Sequence, residues 1–121
     1  MKSIIVVEDN TAIRKLFCTL IKKQGYEVTD FENGESVLKN LPNLKPDLLV
    51  LDILLPDING TDLISKVRAI PHCSNVPVIA VTGFATEQDA AKFKELGFNG
   101  YLPKPINTNA FIEEIKKHID Q

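Results

Sequence analysis

The chain is predicted to be an α/β protein in which a parallel sheet lies between two layers of helices. Two observations carry that expectation. Short apolar runs rich in Val and Ile alternate with longer stretches of helical period, five runs in all, which is the pattern of repeated β-α units. The middle run, Leu48 to Leu51, is apolar on both sides, as a strand covered on both faces must be.

Taken in order, Ile4 to Val7 is the first strand and ends in Glu8-Asp9-Asn10. Ala12, Ile13, Leu16, Phe17, Leu20 and Ile21 then recur at spacings of three and four, an amphipathic helix closed by Gly25. Glu27 to Phe31 alternates weakly, as an edge strand does, and a short helix from about Gly34 to Asn40 sets Val37, Leu38 and Leu41 on one face. Pro42 and Pro46 bound the next loop. The strand Leu48 to Leu51 leaves through "DILLPDING", and a third helix runs from Thr61 to Ala69 with Leu63, Ile64 and Val67 inward.

Beyond "PHCSNVP", Val78 to Val81 is the fourth strand; it leaves through Thr82-Gly83-Phe84 into a helix begun near Thr86, where Thr86-Glu87-Gln88-Asp89 suits a capped first turn. Ala90, Ala91, Phe93 and Leu96 repeat along that helix and Gly97 ends it. Gly100-Tyr101-Leu102 is a brief fifth strand stopped by Pro103-Lys104-Pro105. Asn107 to Ile119 is a closing helix with Phe111, Ile112, Ile115 and Ile119 at core spacing.

Composition narrows the function classes. At 121 residues, residues 1–121 are expected to form one domain, and 44% hydrophobic with 25% charged residues is an ordinary globular balance. Fourteen Lys and Arg against sixteen Asp and Glu leave a formal charge of -2 with no basic block, which argues against direct nucleic-acid binding. No apolar run approaches the ~20 residues that span a bilayer, and the start "MKSIIVVEDN" meets acid too early for a signal peptide, so a cytoplasmic protein without membrane contact is expected. Cys18 and Cys73 lack ligand or redox spacing and are read as free thiols; His72 and His118 are read as solvated surface groups. Asp57, Asp62 and Glu35 are read as solvated loop and helix-start charges.

In an open parallel sheet, ligands bind outside the carboxyl ends of the strands. Those ends deliver Glu8 and Asp9, Asp52, Thr82 and Lys104. An isolated carboxylate such as Asp52 is costly in apolar surroundings and needs a partner or a metal. Three close carboxylates repel, and a hard cation such as Mg2+ keeps them ionised while leaving positions for phosphate oxygens. The lysine adds a mobile charge and the threonine a hydroxyl donor, the requirements of phosphoryl transfer. No P-loop and no GxGxxG occurs, so an Asp nucleophile forming an aspartyl phosphate fits better than a held nucleotide.

The chain resembles the response-regulator receiver (CheY-like) family along essentially its whole length. The resemblance rests on "VVEDN" with Glu8 and Asp9, "LVLDILLPDINGTDL" with Asp52, Pro56 and Gly60, "PVIAVTG" with Thr82, and "GYLPKPI" with Tyr101, Lys104 and Pro105. It implies a flavodoxin-like (βα)5 three-layer sandwich of strand order 2-1-3-4-5. It further implies that Asp52 accepts a phosphoryl group from a sensor histidine kinase or histidine phosphotransfer protein. Mg2+ or Mn2+ would be held by Asp9, Asp52 and the Leu54 backbone carbonyl, with Glu8 acting partly through water. Lys104 and Thr82 would contact phosphoryl oxygens, and Tyr101 would turn inward with Thr82, altering the face of the fourth helix, fifth strand and fifth helix for a downstream protein target. The Lys104–Pro105 bond would be cis.

Two positions where some relatives place polar side chains that position the hydrolytic water are apolar here, Leu54 and Phe84, which suggests shielding and slow autodephosphorylation. Alternatives stay open. Glu8-Asp9 alone fits a helix cap, Lys104 an ordinary surface lysine, Thr82 a strand end and Tyr101 a rim aromatic. A haloacid-dehalogenase-type phosphatase would need a second Asp where Leu54 stands, and a flavin binder would meet repulsion from Glu8-Asp9. A receiver fold that binds partners without phosphorylation is a further reading. Met1 directly before the first strand favours a stand-alone protein over a hybrid-kinase receiver, which the motifs do not separate.

Overall fold

A computed structural model of the chain describes residues 1–83 and 87–119. The elements follow the predicted order: β1 (Ser3–Val7), α1 (Thr11–Lys23), β2 (Glu27–Phe31), α2 (Gly34–Asn40), β3 (Leu48–Asp52), α3 (Gly60–Arg68), β4 (Val78–Thr82), α4 (Glu87–Leu96), β5 (Gly100–Pro103) and α5 (Thr108–Ile119). Three strands run one residue further than the apolar pattern suggests, to Asp52, Thr82 and Pro103. The ladder that defines them is made by backbone groups and continues past the last apolar side chain. Phe84 and Thr86, read above as a shield and a cap, lie outside the described residues.

The five strands pair in parallel in the order β2-β1-β3-β4-β5. Ile4 stands opposite Leu48, Leu49 opposite Val78, and Ile79 opposite Gly100. Strand alternation then divides the core in two. Ile5, Val7, Leu49, Leu51, Val78 and Ala80 pack beneath α2, α3 and α4 through Val37, Leu63, Ile64, Val67 and Phe93. Ile4, Val6, Leu48, Val50, Ile79 and Val81 meet α1 and α5 through Phe17, Ile21, Phe111, Ile115 and Ile119. Each fully buried side chain of this size contributes about 1.5–3 kcal/mol of transfer free energy. The Phe17 and Phe111 rings stack at 4.6 Å and close the seam between the first and last helices.

Leu16 departs from its expected place: it is exposed, because the stripe on α1 that meets the sheet and α5 is narrower than the apolar set and centres on Phe17 and Ile21. Two glycines are required by the chain path. Gly25 has φ +87° just past α1, a left-handed closure that side chains disfavour. A Cβ on Gly60 would stand 2.7 Å from the Ile53 Cα, so only glycine lets α3 start against the end of β3. None of the described helices is long and apolar enough to cross a membrane.

Of the two histidines read as surface groups, His72 is exposed and His118 is not. His72 Nε2 lies 2.9 Å and 2.8 Å from the Leu41 and Leu44 carbonyl oxygens and ties the β4 approach to the end of α2. His118 is half-buried, with Nε2 2.7 Å from Glu114 Oε1 one turn earlier on α5. Asp57 is not a free charge either: its carboxylate accepts the Gly34 and Glu35 N–H groups at 2.9 Å and 2.8 Å, while Asn33 accepts that of Ser36. Three of the orphan donors at the start of α2 are thereby satisfied.

Candidate functional site

The parallel register carries the chemistry-bearing residues to one rim. Val7 stands opposite Leu51, Asp52 opposite Val81, and Thr82 opposite Pro103, so Glu8, Asp9, Asp52, Thr82 and Lys104 emerge side by side. Glu8 continues β1 by donating its N–H to the Phe31 carbonyl at 3.0 Å, and its Oε2 accepts the Asn10 N–H at 3.1 Å. Asn10 in turn caps α1, its side chain accepting the Ile13 N–H at 3.0 Å. Carboxylate oxygens of Glu8, Asp9 and Asp52 lie within 4.8 Å of one another. Glu8 and Asp52 are buried and Asp9 is exposed, so the cluster opens to solvent on one side.

Lys104 supplies the opposing charge. Its Nζ lies 3.0 Å from Glu8 Oε1 and 3.2 Å from Asp52 Oδ2. Its N–H donates to the Thr82 carbonyl at 2.8 Å, and the Lys104–Pro105 peptide is cis. Burial disfavours the ammonium charge, but the Glu8 and Asp52 carboxylates outweigh it and raise Lys104 above the ordinary lysine value. Glu8 is pushed up to about 7, chiefly by burial; the Asn10 N–H and Lys104 pull it down while the neighbouring Asp52 adds to the rise. One lysine does not neutralise three acids.

The donor set suits a hard divalent cation. The Glu8 Oε1 is buried and makes no hydrogen bond of good geometry despite its ion pair with Lys104. A buried acceptor left in that condition, between two further carboxylates, fits an oxygen-preferring ion such as Mg2+ or Mn2+. Leu54 follows Asp52 in the loop and returns its N–H to Asp52 Oδ1 at 3.2 Å. Its side chain is 58% exposed and lines a groove with Asn59, Thr61, Lys92 and Phe93. The leucine side chain is therefore largely in solvent.

Thr82 is buried at the end of β4. Tyr101, half-buried, stands opposite Ala80, two residues before Thr82, and lines a mainly apolar cavity of about 330 Å3 with Ala90, Phe93, Phe98 and Gly100. Sequence reading missed Arg14, which reaches from α1 to the first of these loops: Nη1 donates to the Glu8 carbonyl and Nε to Asp30 Oδ2, each at 2.9 Å. Its only local signal is a basic residue one helical turn beyond Asn10.

The response regulator receiver domain family matches residues 4–116. The polar-differentiation response regulator DivK of Brucella anthropi is 37% identical over 118 residues, covering 98% of this chain and 96% of that protein. DivK of Brucella ovis is 36% identical over 118 residues, with the same shares of each chain covered, 98% and 96%. Among solved structures, the chemotaxis response regulator CheY4 of Vibrio cholerae superposes with a TM-score of 0.92 at 22% identity, over 97% of this chain and 98% of its own, a likeness of fold. The receiver domain of a Pseudomonas aeruginosa sensor histidine kinase, with a magnesium ion coordinated in its active site cleft, gives 0.89 at 26% identity over 99% of this chain and 98% of its own.

Proposed function

Because the chain belongs to the response regulator receiver domain family of two-component signalling, we propose that Asp52 is the phosphoacceptor, charged by a histidine kinase or a histidine phosphotransfer protein. The observation that carries this reading is a buried carboxylate at the end of the central strand with a lysine Nζ at 3.2 Å and two further acids within 4.8 Å. An Asp52 oxygen attacks phosphorus, the P–N bond of the donor phosphohistidine breaks, and its electron pair returns to the imidazole nitrogen, which takes up a proton. No nucleotide is consumed by this chain.

Lys104 holds the attacking carboxylate by its ion pair and, once the phosphoryl group arrives, meets a phosphoryl oxygen with the same ammonium. Thr82 offers its hydroxyl to another oxygen from the adjacent strand. Glu8, Asp9, Asp52 and the Leu54 carbonyl are the residues that would hold Mg2+ or Mn2+, which when bound supplies charge neutralisation for the carboxylates and the phosphoryl oxygens. Tyr101, opposite Ala80 on the same strand pair as Thr82, is proposed to follow the movement of Thr82 into its cavity and so reshape the α4-β5-α5 face for a downstream protein.

The test is intact-mass measurement after incubation with Mg2+ and a small acyl-phosphate donor. A gain of one phosphoryl group, absent in Asp52→Asn, is expected. No gain with either the small donor or a phosphorylated histidine partner would favour a module that binds without phosphorylation.

A further inference from the structure

We propose that Arg14 is a positioning residue that aims the Asp9 carboxylate at the cation site by clamping the Glu8–Asp9 peptide. The proposal rests on the reading of Glu8, Asp9 and Asp52 as a divalent-cation site. Asp9 is the exposed member of that trio. Exposure leaves its side chain little packing among the described residues, so its direction depends on the peptide that precedes it. That peptide is held at its carbonyl oxygen, and the peptide before it is held at its N–H, so Glu8 is anchored on both sides of its Cα. The Glu8 N–H is held by the Phe31 carbonyl at 3.0 Å, and the Glu8 carbonyl, which forms the peptide to Asp9, accepts the Arg14 Nη1 hydrogen bond at 2.9 Å.

Arg14 is itself anchored. Its Nε donates to Asp30 Oδ2 at 2.9 Å, and its side chain is 14% exposed. Asp30 lies on β2 opposite Val6, so the guanidinium joins α1, the edge strand and the loop after β1 at one point. The planar fork can serve two acceptors at once in a fixed geometry, which a lysine ammonium on a flexible stem does not reproduce. Outer partners that orient metal ligands typically matter by about 10–100-fold in metal affinity. Arg14 meets that description without touching the carboxylates: it bonds a backbone oxygen and sits on the side of the loop facing Asp30.

The experiment is calorimetric titration of the full chain with MgCl2 alone, alongside urea unfolding of the metal-free proteins. Arg14→Ala is expected to weaken Mg2+ binding about tenfold, with Arg14→Lys intermediate and Asp30→Asn, which frees the guanidinium, giving a smaller loss. Arg68→Lys, a substitution at the opposite end of the sheet, should lower stability with Mg2+ affinity unchanged, which separates positioning from folding. Where Arg14→Ala does not fold, Arg14→Lys and Asp30→Asn decide. Wild-type Mg2+ affinity in the folded Arg14 and Asp30 variants would overturn the role of Arg14 and leave the cation site standing, whereas absence of Mg2+ binding by the wild-type chain would overturn both.

Discussion

Asp57 is joined to Gly34 across 23 residues of sequence, its Oδ1 accepting the Gly34 N–H at 2.9 Å. This bond and its twin to Glu35 fasten the loop that follows β3 to the start of α2. The hydrogen bonds from Gly34 and Glu35 hold the Asp57 carboxyl below the usual aspartate value. A group depressed in the fold contributes stability that is present above its unfolded pKa, about 3.9, and is lost as pH falls through the folded value. Asp57→Ala should therefore cost about 1 kcal/mol at pH 7, with the gap to wild type closing as the medium is acidified below pH 4. Urea unfolding at both pH values measures it, and a gap independent of pH would show that the carboxylate charge is not what caps α2.

Glu8→Gln should separate stability from ion binding. The substitution removes one of three mutually repelling carboxylates while Lys104 keeps Asp52 as its partner. Burial disfavours the ionised Glu8 and the neighbouring Asp52 adds to that cost, so a neutral side chain of the same shape relieves both while Lys104 keeps its second partner. At pH 8 without metal the variant is expected to melt above wild type, and added Mg2+ is expected to raise its Tm by less. Melting curves with chelator and with MgCl2 supply both readings; an unchanged response to Mg2+ would remove Glu8 from the site.

Arg68 is the largest polar commitment at the far end of the sheet. Its guanidinium donates to the Cys73, Val76 and Gly97 carbonyls and to Asn99 Oδ1, joining the C-terminal ends of α3 and α4 to the starts of β4 and β5. Burial lowers its pKa, the cost of holding the cation among neutral acceptors. Arg68→Ala leaves several carbonyls without their donor and should destabilise by about 3 kcal/mol. Lysine should restore less than half of that, since it lacks the fork. A urea midpoint within experimental error of wild type for Arg68→Ala would mean that water replaces the guanidinium.

On the proposed reading of Asp52 as phosphoacceptor, Leu54 bears on the lifetime of the phosphorylated state. An apolar side chain two residues past Asp52 has no group with which to orient a water for attack on phosphorus. Leu54→Asn is expected to hasten loss of phosphate about tenfold, equivalent to about 1.4 kcal/mol in the barrier. The decay of the phosphorylated mass with time tests it. Because the leucine side chain is largely in solvent, the effect is expected to come from the added amide rather than from uncovering Asp52.

The strands were legible because each is covered by helices or paired along its length, and burial on both faces writes itself as an unbroken apolar run, as in Leu48 to Leu51. The edge position of Glu27–Phe31 was legible for the opposite reason: three of its five residues are exposed. The convergence of Glu8, Asp9, Asp52, Thr82 and Lys104 on one rim follows from parallel pairing alone. What stayed hidden are single long-range polar contacts. Arg14 with Asp30, Asp57 with Gly34, His72 with Leu41 and Arg68 with Asn99 link residues 16 to 31 apart. None leaves a periodic trace, since one bond needs only one residue of the right type at each end. Leu16 misled because helical period marks a face and does not say how wide a neighbour covers it.

The prolines that bracket Lys104 have a consequence for aggregation. β5 is one of the two edges of the sheet, and an open edge presents unpaired backbone groups to any passing strand. Pro103 carries no N–H to offer, and Pro105 denies the chain a second donor just beyond it. The opposite edge, β2, exposes Glu27 and Asp30 instead. The segment that delivers the site lysine also ends the sheet, so this rim can stay open for a partner without inviting another copy to extend the strands.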